Sequence, residues 1–323
     1  MKIKNDLNLH PVISVWLAGD TYTGANNETY ISATGLLRST RQQVLLRKCI
    51  KEDNEVSIDI STLMKSKIGT AIHKCIEDSW KDPETLQNAC QALGWSDTRV
   101  GRIHVNPDAP IEGETNIYFE QRSCKEFNGW NITGEFDCVL NGTVIDFKST
   151  SVYTYMNKTK EQDYIRQLSI YRWLNPDLIT SDVGVIQFIF TDWIQKYALS
   201  NPEYPQHPFV LIKLPLMSLE ETEEFISKKL RDIEYYTEHE DELPLCDDHA
   251  LMITPEWQYF SSTTAKRSSK NFKTYEEALQ HLSSKGNVGI VKKKAQEPKG
   301  CAYCTCRHTC TQYTRFKEMG LIK

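Results

Sequence analysis

The amino-acid sequence predicts an α/β protein in which helices flank a mixed central β-sheet. Strand-like segments lie on both sides of a central helical segment: residues 115–150 are strand-like, 161–174 are helical, and a further strand begins at Gly184. Helical crossovers of this kind connect neighbouring strands of one sheet. The chain has 323 residues, of which 40% are hydrophobic, enough for one large domain or two small ones.

Two helices are predicted in the first quarter of the chain. Residues 31–51 are expected to form one helix that begins at Ser32 or Thr34, because hydroxyl side chains cap helix N-termini. Its apolar contacts are Leu36, Leu37, Val44 and Leu45, and its other face is basic. Residues 62–80 form a second helix, since apolar residues recur there at every fourth position. His73 lies beside that apolar stripe.

A β-hairpin is the next predicted element, over residues 131–150. Its signal is the pair Asn141-Gly142 between two alternating runs, because both turn residues must accept positive φ. With a two-residue turn, Leu140 pairs with Thr143, and each step back along one strand matches a step forward along the other. The turn therefore predicts the register of both strands.

This register places four charged side chains on one face of the hairpin. Asp137 is expected opposite Asp146, in a non-hydrogen-bonded pair whose Cα atoms lie about 4.5 Å apart. Two carboxylates this close repel, so either one is protonated or a cation lies between them, and a hard divalent ion such as Mg²⁺ suits carboxylate oxygens. Glu135, expected opposite Lys148, either holds that lysine in position or is an exposed acid. The alternative for the whole face is a hairpin that simply meets water.

Strands and helices continue to alternate beyond the hairpin. The helix over 161–174 ends before Pro176, because the residue before a proline disfavours the helical conformation. The elements that follow are a strand from Gly184, a proline-rich loop at 199–209, a strand over 209–216, a long capped helix from Ser218, a short helix over 274–282 and a strand over 286–294.

The composition bears on the subcellular location of the protein and on how it could contact nucleic acid. No segment approaches the roughly eighteen apolar residues of a membrane span, and the polar N-terminus lacks the apolar part of a signal peptide. We therefore expect a cytoplasmic protein, in the host cytoplasm if a phage encodes it. The net charge of −5 gives no global basic footprint, so any contact with nucleic acid must come from local patches.

Two basic segments provide such patches, and each is either a nucleic-acid contact or a solvated face. The early segment contains Arg38, Arg41, Arg47, Lys48 and Lys51, and the late one contains Lys266, Arg267, Lys270, Lys273, Lys292, Lys293 and Lys294.

The ten cysteines are unevenly distributed. In a cytosolic chain of this size they indicate thiols or a metal site rather than disulfides. The scattered ones are Cys49, Cys75, Cys90, Cys124, Cys138 and Cys246, whereas Cys301, Cys304, Cys306 and Cys310 lie within ten residues of one another.

The hairpin resembles the PD-(D/E)XK nuclease superfamily, in which a bent hairpin presents two acids and a lysine to one or two metal ions. Three motifs are similar to the RecB-like branch, which includes phage exonucleases and CRISPR-associated adaptation nucleases. They are Gly69-Thr70-Ala71-Ile72-His73, Gly134-Glu135-Phe136-Asp137 and Gln167-Leu168-Ser169-Ile170-Tyr171, in the expected order. The resemblance implies a restriction-endonuclease-like core for the α/β fold.

The resemblance also implies roles for individual residues. The metal, Mg²⁺ or Mn²⁺, would be held by His73, Asp137, Asp146 and the Phe147 carbonyl. Lys148 would orient the attacking water and complete the catalytic set with Asp137 and Asp146. Gln167 and Tyr171 would contact the DNA backbone, and Glu120 would add an outer-shell carboxylate. Taken without the resemblance, a lone histidine beside an apolar stripe, such as His73, is usually structural, and the alternative for the Gln167–Tyr171 pair is a plain edge of the core.

Together these features predict a metal-dependent DNA exonuclease that hydrolyses phosphodiester bonds from DNA ends, single-stranded or duplex, in recombination, repair or phage DNA processing. A recombinase or a single-strand-binding protein is the protein partner that such a role implies. Two alternatives stay open. One is an endonuclease or CRISPR-adaptation trimming enzyme of the same fold, and the other is a catalytically silent DNA-binding or scaffold protein whose cysteine site is its main feature.

The spacing of Cys301, Cys304 and Cys310 resembles the C-terminal three-cysteine pattern of iron–sulfur members of the RecB-like branch. Those members draw a fourth cysteine from an early helix, where this chain has Ser39 and Thr40. Cys49 or Cys306 is therefore the expected fourth ligand of a 4Fe-4S cluster. Zinc bound by the local cysteines is the alternative, and reduced free thiols are the third.

We accordingly predict three regions: an N-terminal basic helical segment (1–60), a nuclease core (61–245) and a C-terminal extension that carries the cysteine cluster (246–323).

Overall fold

The computed structural model describes residues 2–19, 29–51, 57–157, 160–247, 250–252, 256–294 and 297–322. The strands in these residues are β1 (Lys2–Lys4), β2 (Tyr30–Ser32), β3 (Ser57–Asp59), β4 (Ile103–Val105), β5 (Thr115–Phe127), β6 (Trp130–Leu140), β7 (Thr143–Thr150), β8 (Val183–Phe190), β9 (Phe209–Pro215), β10 (Trp257–Phe260), β11 (Lys270–Phe272) and β12 (Ile290–Lys293). The α-helices are α1 (Pro11–Ala18), α2 (Ala33–Leu36), α3 (Thr40–Lys51), α4 (Met64–Lys81), α5 (Pro83–Ala92), α6 (Asp97–Val100), α7 (Val152–Asn157), α8 (Glu161–Leu174), α9 (Gln195–Ser200), α10 (Leu219–Glu238), α11 (Tyr275–Ser284), α12 (Lys299–Ala302) and α13 (Thr311–Glu318). Short 3-10 turns occupy Ile60–Leu63, Glu240–Glu242 and Arg307–Thr309.

The chain divides into two compact units. One, which we call the sheet unit, comprises Met1–Leu37 and Glu55–Arg231, and the other, the cysteine unit, comprises Arg38–Asn54 and Asp232–Lys323. The cysteine unit thus combines the early basic helix with the C-terminal part of the chain. The three regions expected from the sequence stay a prediction. No helix among the described residues is long and apolar enough to cross a membrane.

The sheet unit is built on a seven-stranded sheet of order β4-β5-β6-β7-β8-β9, with β2 beside β6. The sheet is mixed: β5, β6 and β7 form an antiparallel meander, β8 and β9 are also antiparallel, and β7 is parallel to β8. Parallel neighbours need a crossover, which α7 and α8 supply between β7 and β8. The predicted mixed α/β fold is confirmed.

Helices cover both faces of this sheet. Ile145 of β7 packs in the same apolar cluster as Ile76 of α4. On the other face, a Cβ placed on Gly184 of β8 would lie 2.8 Å from Cδ1 of Leu168 in α8 and 3.3 Å from Cγ1 of Val144. Because the adjacent residues Val144 and Ile145 point to opposite faces of a strand, α4 and α8 lie on opposite sides of the sheet.

The predicted single helix over 31–51 is wrong, because the segment forms β2, α2 and α3 instead. Ser32 does cap α2, where its Oγ accepts the N–H of Gly35 at 3.0 Å. A second helix start follows at Ser39. Its Oγ accepts the N–H of Gln42, and Oε1 of Gln42 accepts the N–H of Ser39, both at 3.2 Å. This reciprocal capping box begins a new helix and interrupts the apolar periodicity.

The hairpin turn forms as predicted. Asn141 and Gly142 have φ of 46° and 79°, the left-handed conformation that their residue types tolerate. The predicted register is confirmed for the three pairs next to the turn, the last of which joins Cys138 to Ile145. The turn therefore controls the register over only part of the hairpin.

Two of the pairs predicted farther from the turn are wrong. Over residues 130–150, all of which are described, Asp137 is not a ladder partner of Asp146, nor is Glu135 a partner of Lys148. The N–H of Phe147 donates instead to Oδ2 of Asp137, at 2.7 Å. A side chain thus replaces the strand ladder where β6 and β7 separate.

The cysteine unit contains a three-stranded antiparallel sheet of order β11-β10-β12. The predicted helix over 274–282 and the predicted strand over 286–294 correspond to α11 and β12. Tyr259 of β10 is buried and its ring meets the ring of His281 in α11, with centroids 4.8 Å apart. Helix α11 therefore packs on one face of this small sheet.

Candidate metal centre and active site

Helix α4 brings His73 against strand β7. Nε2 of His73 lies 3.2 Å from the carbonyl oxygen of Phe147. One turn earlier, a Cβ on Gly69 would lie 3.4 Å from Oγ of Ser149, so the absent side chain lets the helix approach the strand closely. The contact with the Phe147 carbonyl oxygen thus holds His73 beside β7.

Two carboxylates face the other nitrogen of that imidazole. Nδ1 of His73 lies 3.5 Å from Oε1 of Glu120 and 3.7 Å from Oδ1 of Asp137. One ligand atom from each of the three residues can be chosen so that all lie within 4.8 Å of one another. His73, Glu120 and Asp137 therefore form a group that could hold a metal ion.

Glu120 owes its position to an unusual backbone conformation. It has φ of 49° inside β5, between residues that pair regularly: Phe119 with Cys138, and Gln121 with Phe136. A non-glycine residue in this left-handed region costs about 1–3 kcal/mol and persists only where its surroundings enforce it. The sequence indicated an outer-shell role for Glu120, whereas the structure places its carboxylate beside His73.

Asp146 is the most deeply buried acid of the site, with 1% of its side chain exposed. Its Oδ2 lies 2.6 Å from Nζ of Lys148, and its Oδ1 has no hydrogen-bond partner among the described residues. A buried carboxylate is costly unless it is paired and hydrogen-bonded. Here the ammonium of Lys148 supplies the opposite charge.

A chain of hydrogen bonds holds Lys148 from the side of α8. Nζ of Lys148 donates to Oε1 of Gln167 at 3.3 Å, and Nε2 of Gln167 donates to the hydroxyl of Tyr171 at 2.8 Å. Gln167 and Tyr171 are neighbours on one face of the helix, as their spacing of four predicts. Both are buried, so in this structure they position the lysine.

Gly134 explains why the tyrosine can lie so close to the sheet. A Cβ at this position would come within 2.7 Å of Cδ1 of Leu174 and 3.0 Å of Cδ1 of Tyr171, both in α8. Contacts below 3.0 Å require something to shift. Gly134 thus permits the ring of Tyr171 to pack directly on the backbone of β6.

The electrostatics of the site favour added positive charge. Burial and the nearby Asp146 carboxylate raise the pKa of Asp137 to about 8. Burial lowers the pKa of His73, but Glu120 and Asp137 outweigh it and raise that pKa above its ordinary value. Burial likewise opposes the charge of Lys148, yet Asp146 and Asp137 raise its pKa. A divalent cation would supply the charge that these groups otherwise draw from protons.

An open cavity of about 480 Å³ borders the site on the side of His73, Glu120 and Tyr171, which line it, whereas Asp137, Asp146 and Lys148 are not among its lining residues. Nη2 of Arg122 lies 2.7 Å from Oε2 of Glu135 in the cavity wall. This ion pair joins β5 to β6, so Glu135 is held by Arg122 and not by Lys148. Through this cavity an extended ligand can reach His73 and Glu120.

Comparison with known proteins gives only distant similarities. No protein-family model matches the chain, and no curated protein matches it. The crystal structure of SSO0001 is similar with a TM-score of 0.37 and 15% identity, over 64% of this chain and 76% of that one. A phage-related exonuclease from Haemophilus somnus 129PT gives a TM-score of 0.25 and 20% identity, over 38% of this chain and 61% of that one. With TM-scores below 0.5, neither similarity carries weight for the fold or the chemistry of this chain.

The early basic segment is partly engaged inside the cysteine unit. Arg41 is buried, and its guanidinium donates to the backbone oxygens of Pro244 and Leu243 at 3.0 and 3.3 Å. Lys48 forms an ion pair with Glu240 at 2.6 Å. These two cations therefore stabilise the unit rather than form an open basic face.

The clustered cysteines do not all face the same way. Cys301, Cys304 and Cys310 line one small cavity of the cysteine unit, together with Cys246. Burial raises the pKa of the Cys301 thiol to about 11, and the three neighbouring thiols add to the rise. The position of Cys246 beside this cavity was not predicted from the sequence, because it lies about fifty residues before the clustered cysteines.

Of the two cysteines expected as fourth ligand, Cys306 lies beside the other three, because its thiol is within hydrogen-bonding reach of the Cys304 thiol. The thiol of Cys306 donates to the carbonyl oxygen of Gln42 at 3.6 Å, and Sγ of Cys49 lies 3.4 Å from Oγ1 of Thr309. Neither belongs to the residues that line the cavity of the other three cysteines.

Proposed function

We propose that this chain is a metal-dependent DNA exonuclease that hydrolyses phosphodiester bonds from DNA ends. The observation that carries the proposal is the ammonium of Lys148, held 2.6 Å from the buried Asp146 carboxylate. It belongs to the same charged site as the metal-compatible group of His73, Glu120 and Asp137. A site for hydrolytic phosphoryl transfer can use this combination, in which the acids bind a cation and a fixed ammonium stabilises developing negative charge.

The residues present fit a divalent ion such as Mg²⁺ or Mn²⁺. Glu120 and Asp137 offer carboxylate oxygens and His73 a ring nitrogen, while the unpartnered Oδ1 of Asp146 offers a further buried oxygen. When bound, such an ion lowers the pKa of a coordinated water and offsets charge on the scissile phosphate. The raised pKa of Asp137 supports this assignment, because a bound cation would favour the ionised carboxylate.

Lys148 is the group that would act beside the reacting phosphate. Its ammonium can donate to an attacking water and to the negative charge that grows on the phosphate oxygens. Asp146 and Gln167 hold it from two directions, and Tyr171 holds Gln167 in turn. Positioning of this kind lowers the barrier because the donor does not reorganise during the reaction.

The substrate we propose is a DNA end, bound through its backbone without reading of sequence. The open cavity, rather than a closed pocket, suits an extended strand. Phosphate contacts position a strand and carry no sequence information. Recombination, repair or phage DNA processing, with a recombinase or a single-strand-binding protein as partner, is the setting that fits such an activity.

The test uses end-labelled single-stranded DNA, linear duplex and closed circular DNA, with Mg²⁺, Mn²⁺ or chelator. Wild type, Asp146→Ala and the exposed control Asp177→Asn are compared. We expect linear DNA to be degraded only with metal, by wild type and Asp177→Asn alone, while circles persist. Cleavage of circles would indicate an endonuclease instead. Binding of DNA without cleavage under any condition would favour a silent DNA-binding protein and overturn the proposal.

We also propose that Cys301, Cys304 and Cys310 bind a metal centre in the cysteine unit. Their common cavity supports this, and soft thiolates suit iron–sulfur clusters and zinc. Three thiolates leave one position of such a centre to a fourth ligand.

A further inference from the structure

We propose that Cys246 is the fourth thiolate of the metal centre formed with Cys301, Cys304 and Cys310. These four cysteines line the same small cavity of the cysteine unit. The proposal concerns only this unit and does not depend on nuclease activity, because metal content and DNA cleavage are measured separately.

Two buried polar side chains hold the segment that presents Cys246. Arg41 donates from Nε to the oxygen of Pro244 and from Nη2 to the oxygen of Leu243. Gln312 binds both backbone groups of Cys246: its Oε1 accepts the N–H at 2.9 Å, and its Nε2 donates to the carbonyl at 3.2 Å.

The degree of burial shows how strongly this segment is positioned. Arg41 is 8% and Gln312 is 5% exposed, and burying such groups is costly unless their hydrogen bonds are made. Arg41 donates hydrogen bonds to Leu243 and Pro244, and Gln312 donates one to Cys246 itself. Arg41 of α3 and Gln312 of α13 thus hold this segment in place from two different helices of the unit.

The thiol of Cys246 also has a specific neighbour. Its Sγ lies 3.2 Å from Oγ of Ser39, the residue that caps α3. A thiol at position 39 would therefore reach nearly the same point as the thiol of Cys246. This distance provides a rescue experiment, since the two side chains can be exchanged.

The spacing of the sulfurs bears on the kind of metal. Among the described residues, no three cysteine sulfurs lie within 4.8 Å of one another. Tetrahedral zinc, with Zn–S bonds of about 2.3 Å, needs sulfurs about 3.8 Å apart. In a 4Fe-4S cluster each thiolate binds a different iron, so the ligands stand farther apart. The wider spacing fits a cluster better than a single zinc ion.

The test is metal analysis of the full-length chain purified without oxygen. Iron, acid-labile sulfide and zinc are measured per chain, together with the visible charge-transfer absorption of iron–thiolate bonds. Wild type is compared with Cys246→Ala, Cys301→Ala, Cys306→Ala and Cys49→Ala. We expect Cys246→Ala to lose metal as completely as Cys301→Ala, while Cys306→Ala and Cys49→Ala retain the wild-type amount.

The exchange variant Ser39→Cys with Cys246→Ser is the control for metal loss that is caused by misfolding. We expect it to regain most of the metal that Cys246→Ser alone loses, with helix content checked by circular dichroism. Iron with sulfide identifies a cluster, and zinc alone identifies a mononuclear site. Full metal content in Cys246→Ala, loss confined to Cys306→Ala or Cys49→Ala, or a wild type without either metal would each overturn the proposal. Retained cleavage in a metal-free Cys246→Ala would leave the nuclease proposal untouched.

Discussion

The ammonium of Lys148 lies 2.6 Å from Oδ2 of Asp146, whose side chain is 1% exposed. The lysine itself is 26% exposed, so the pair spans the boundary between the core and the open site. Because Oδ1 of Asp146 has no hydrogen-bond partner among the described residues, this pair should affect both the stability of the fold and the proposed cleavage. Changes to either residue should be visible in both properties.

Lys148→Ala should abolish cleavage and also destabilise the metal-free protein. Removal of the ammonium leaves a buried carboxylate without compensation, which costs about 1–3 kcal/mol. Denaturant unfolding in chelator measures this loss, and DNA cleavage with Mg²⁺ measures the activity.

The double variant Lys148→Ala with Asp146→Asn is the control for that prediction. The amide removes the uncompensated charge, so part of the lost stability should return while activity stays absent. Simple addition of the two single effects would show that the ion pair does not stabilise the fold.

Asp137→Asn should stabilise the metal-free protein increasingly as pH rises. The pKa of Asp137 is about 8 in the folded chain against an ordinary value of 3.8, so between these values the folded state binds a proton that the unfolded state lacks. Stability of the wild type therefore falls as pH rises through this window, and the variant does not share that fall.

Melting temperatures at about pH 5 and pH 8 in chelator test this, since 1 kcal/mol moves the Tm of such a chain by about 2–4 °C. The exposed control Asp177→Asn should show no such trend. A divalent ion should raise the wild-type Tm at the higher pH and leave Asp137→Asn almost unchanged. An equal gap between wild type and Asp137→Asn at both pH values would contradict the assigned pKa.

Gly134→Ala should destabilise the protein and slow cleavage. Its methyl group would lie 2.7 Å from Cδ1 of Leu174 and 3.0 Å from Cδ1 of Tyr171, so these two side chains of α8 must shift. Overpacking of this kind costs about 1–3 kcal/mol. The shift also displaces Gln167 and loosens the hold on Lys148.

Gly101→Ala is the matched control, because a Cβ there meets only ordinary contacts, the nearest at 3.6 Å from the oxygen of Asp97. Unfolding free energy and cleavage rate are measured for both variants. Equal behaviour of the two would show that the close approach of Tyr171 does not matter.

Glu120→Gly should separate stability from metal binding. Glycine accepts the φ of 49° without strain, so the metal-free variant should be as stable as wild type or more stable by up to about 1 kcal/mol. The loss of a carboxylate near His73 should weaken binding of Mn²⁺, read as a smaller rise in Tm during titration.

The same substitution at Glu126 provides the comparison. Glu126 lies in the same strand with ordinary backbone angles, so Glu126→Gly should cost about 0.5–1 kcal/mol and leave metal binding unchanged. A Glu120→Gly variant that is less stable than Glu126→Gly would show that the positive φ stores no strain.

Local chemistry in the sequence was enough for much of the fold. Helix α8 has the predicted bounds, the Asn141-Gly142 turn forms, and His73 lies on the predicted helix. Gln167 and Tyr171 share a helical face because residues four apart do so in any α-helix. These features depend on turn residues, caps and periodicity, which act over a few neighbouring positions.

Tertiary structure decided most of the remaining features. The hairpin register ends at Cys138, where Asp137 accepts the N–H of Phe147. Glu135 pairs with Arg122 across the neighbouring hairpin of β5 and β6, whose Asn128-Gly129 turn is a local signal of the same kind. The left-handed φ of Glu120 has no signal in the sequence.

The cysteine unit shows most clearly which contacts the local sequence does not predict. Cys246 reaches Ser39 across 207 positions of the chain, and its segment is held by Arg41, 203 positions from Pro244, and by Gln312, 66 positions from Cys246. Sequence by itself determined the Asn141-Gly142 turn, the bounds of α8 and the residue types of the candidate site. Which of them meet was decided by long-range packing, because side chains far apart in sequence come together only when the whole unit buries its core.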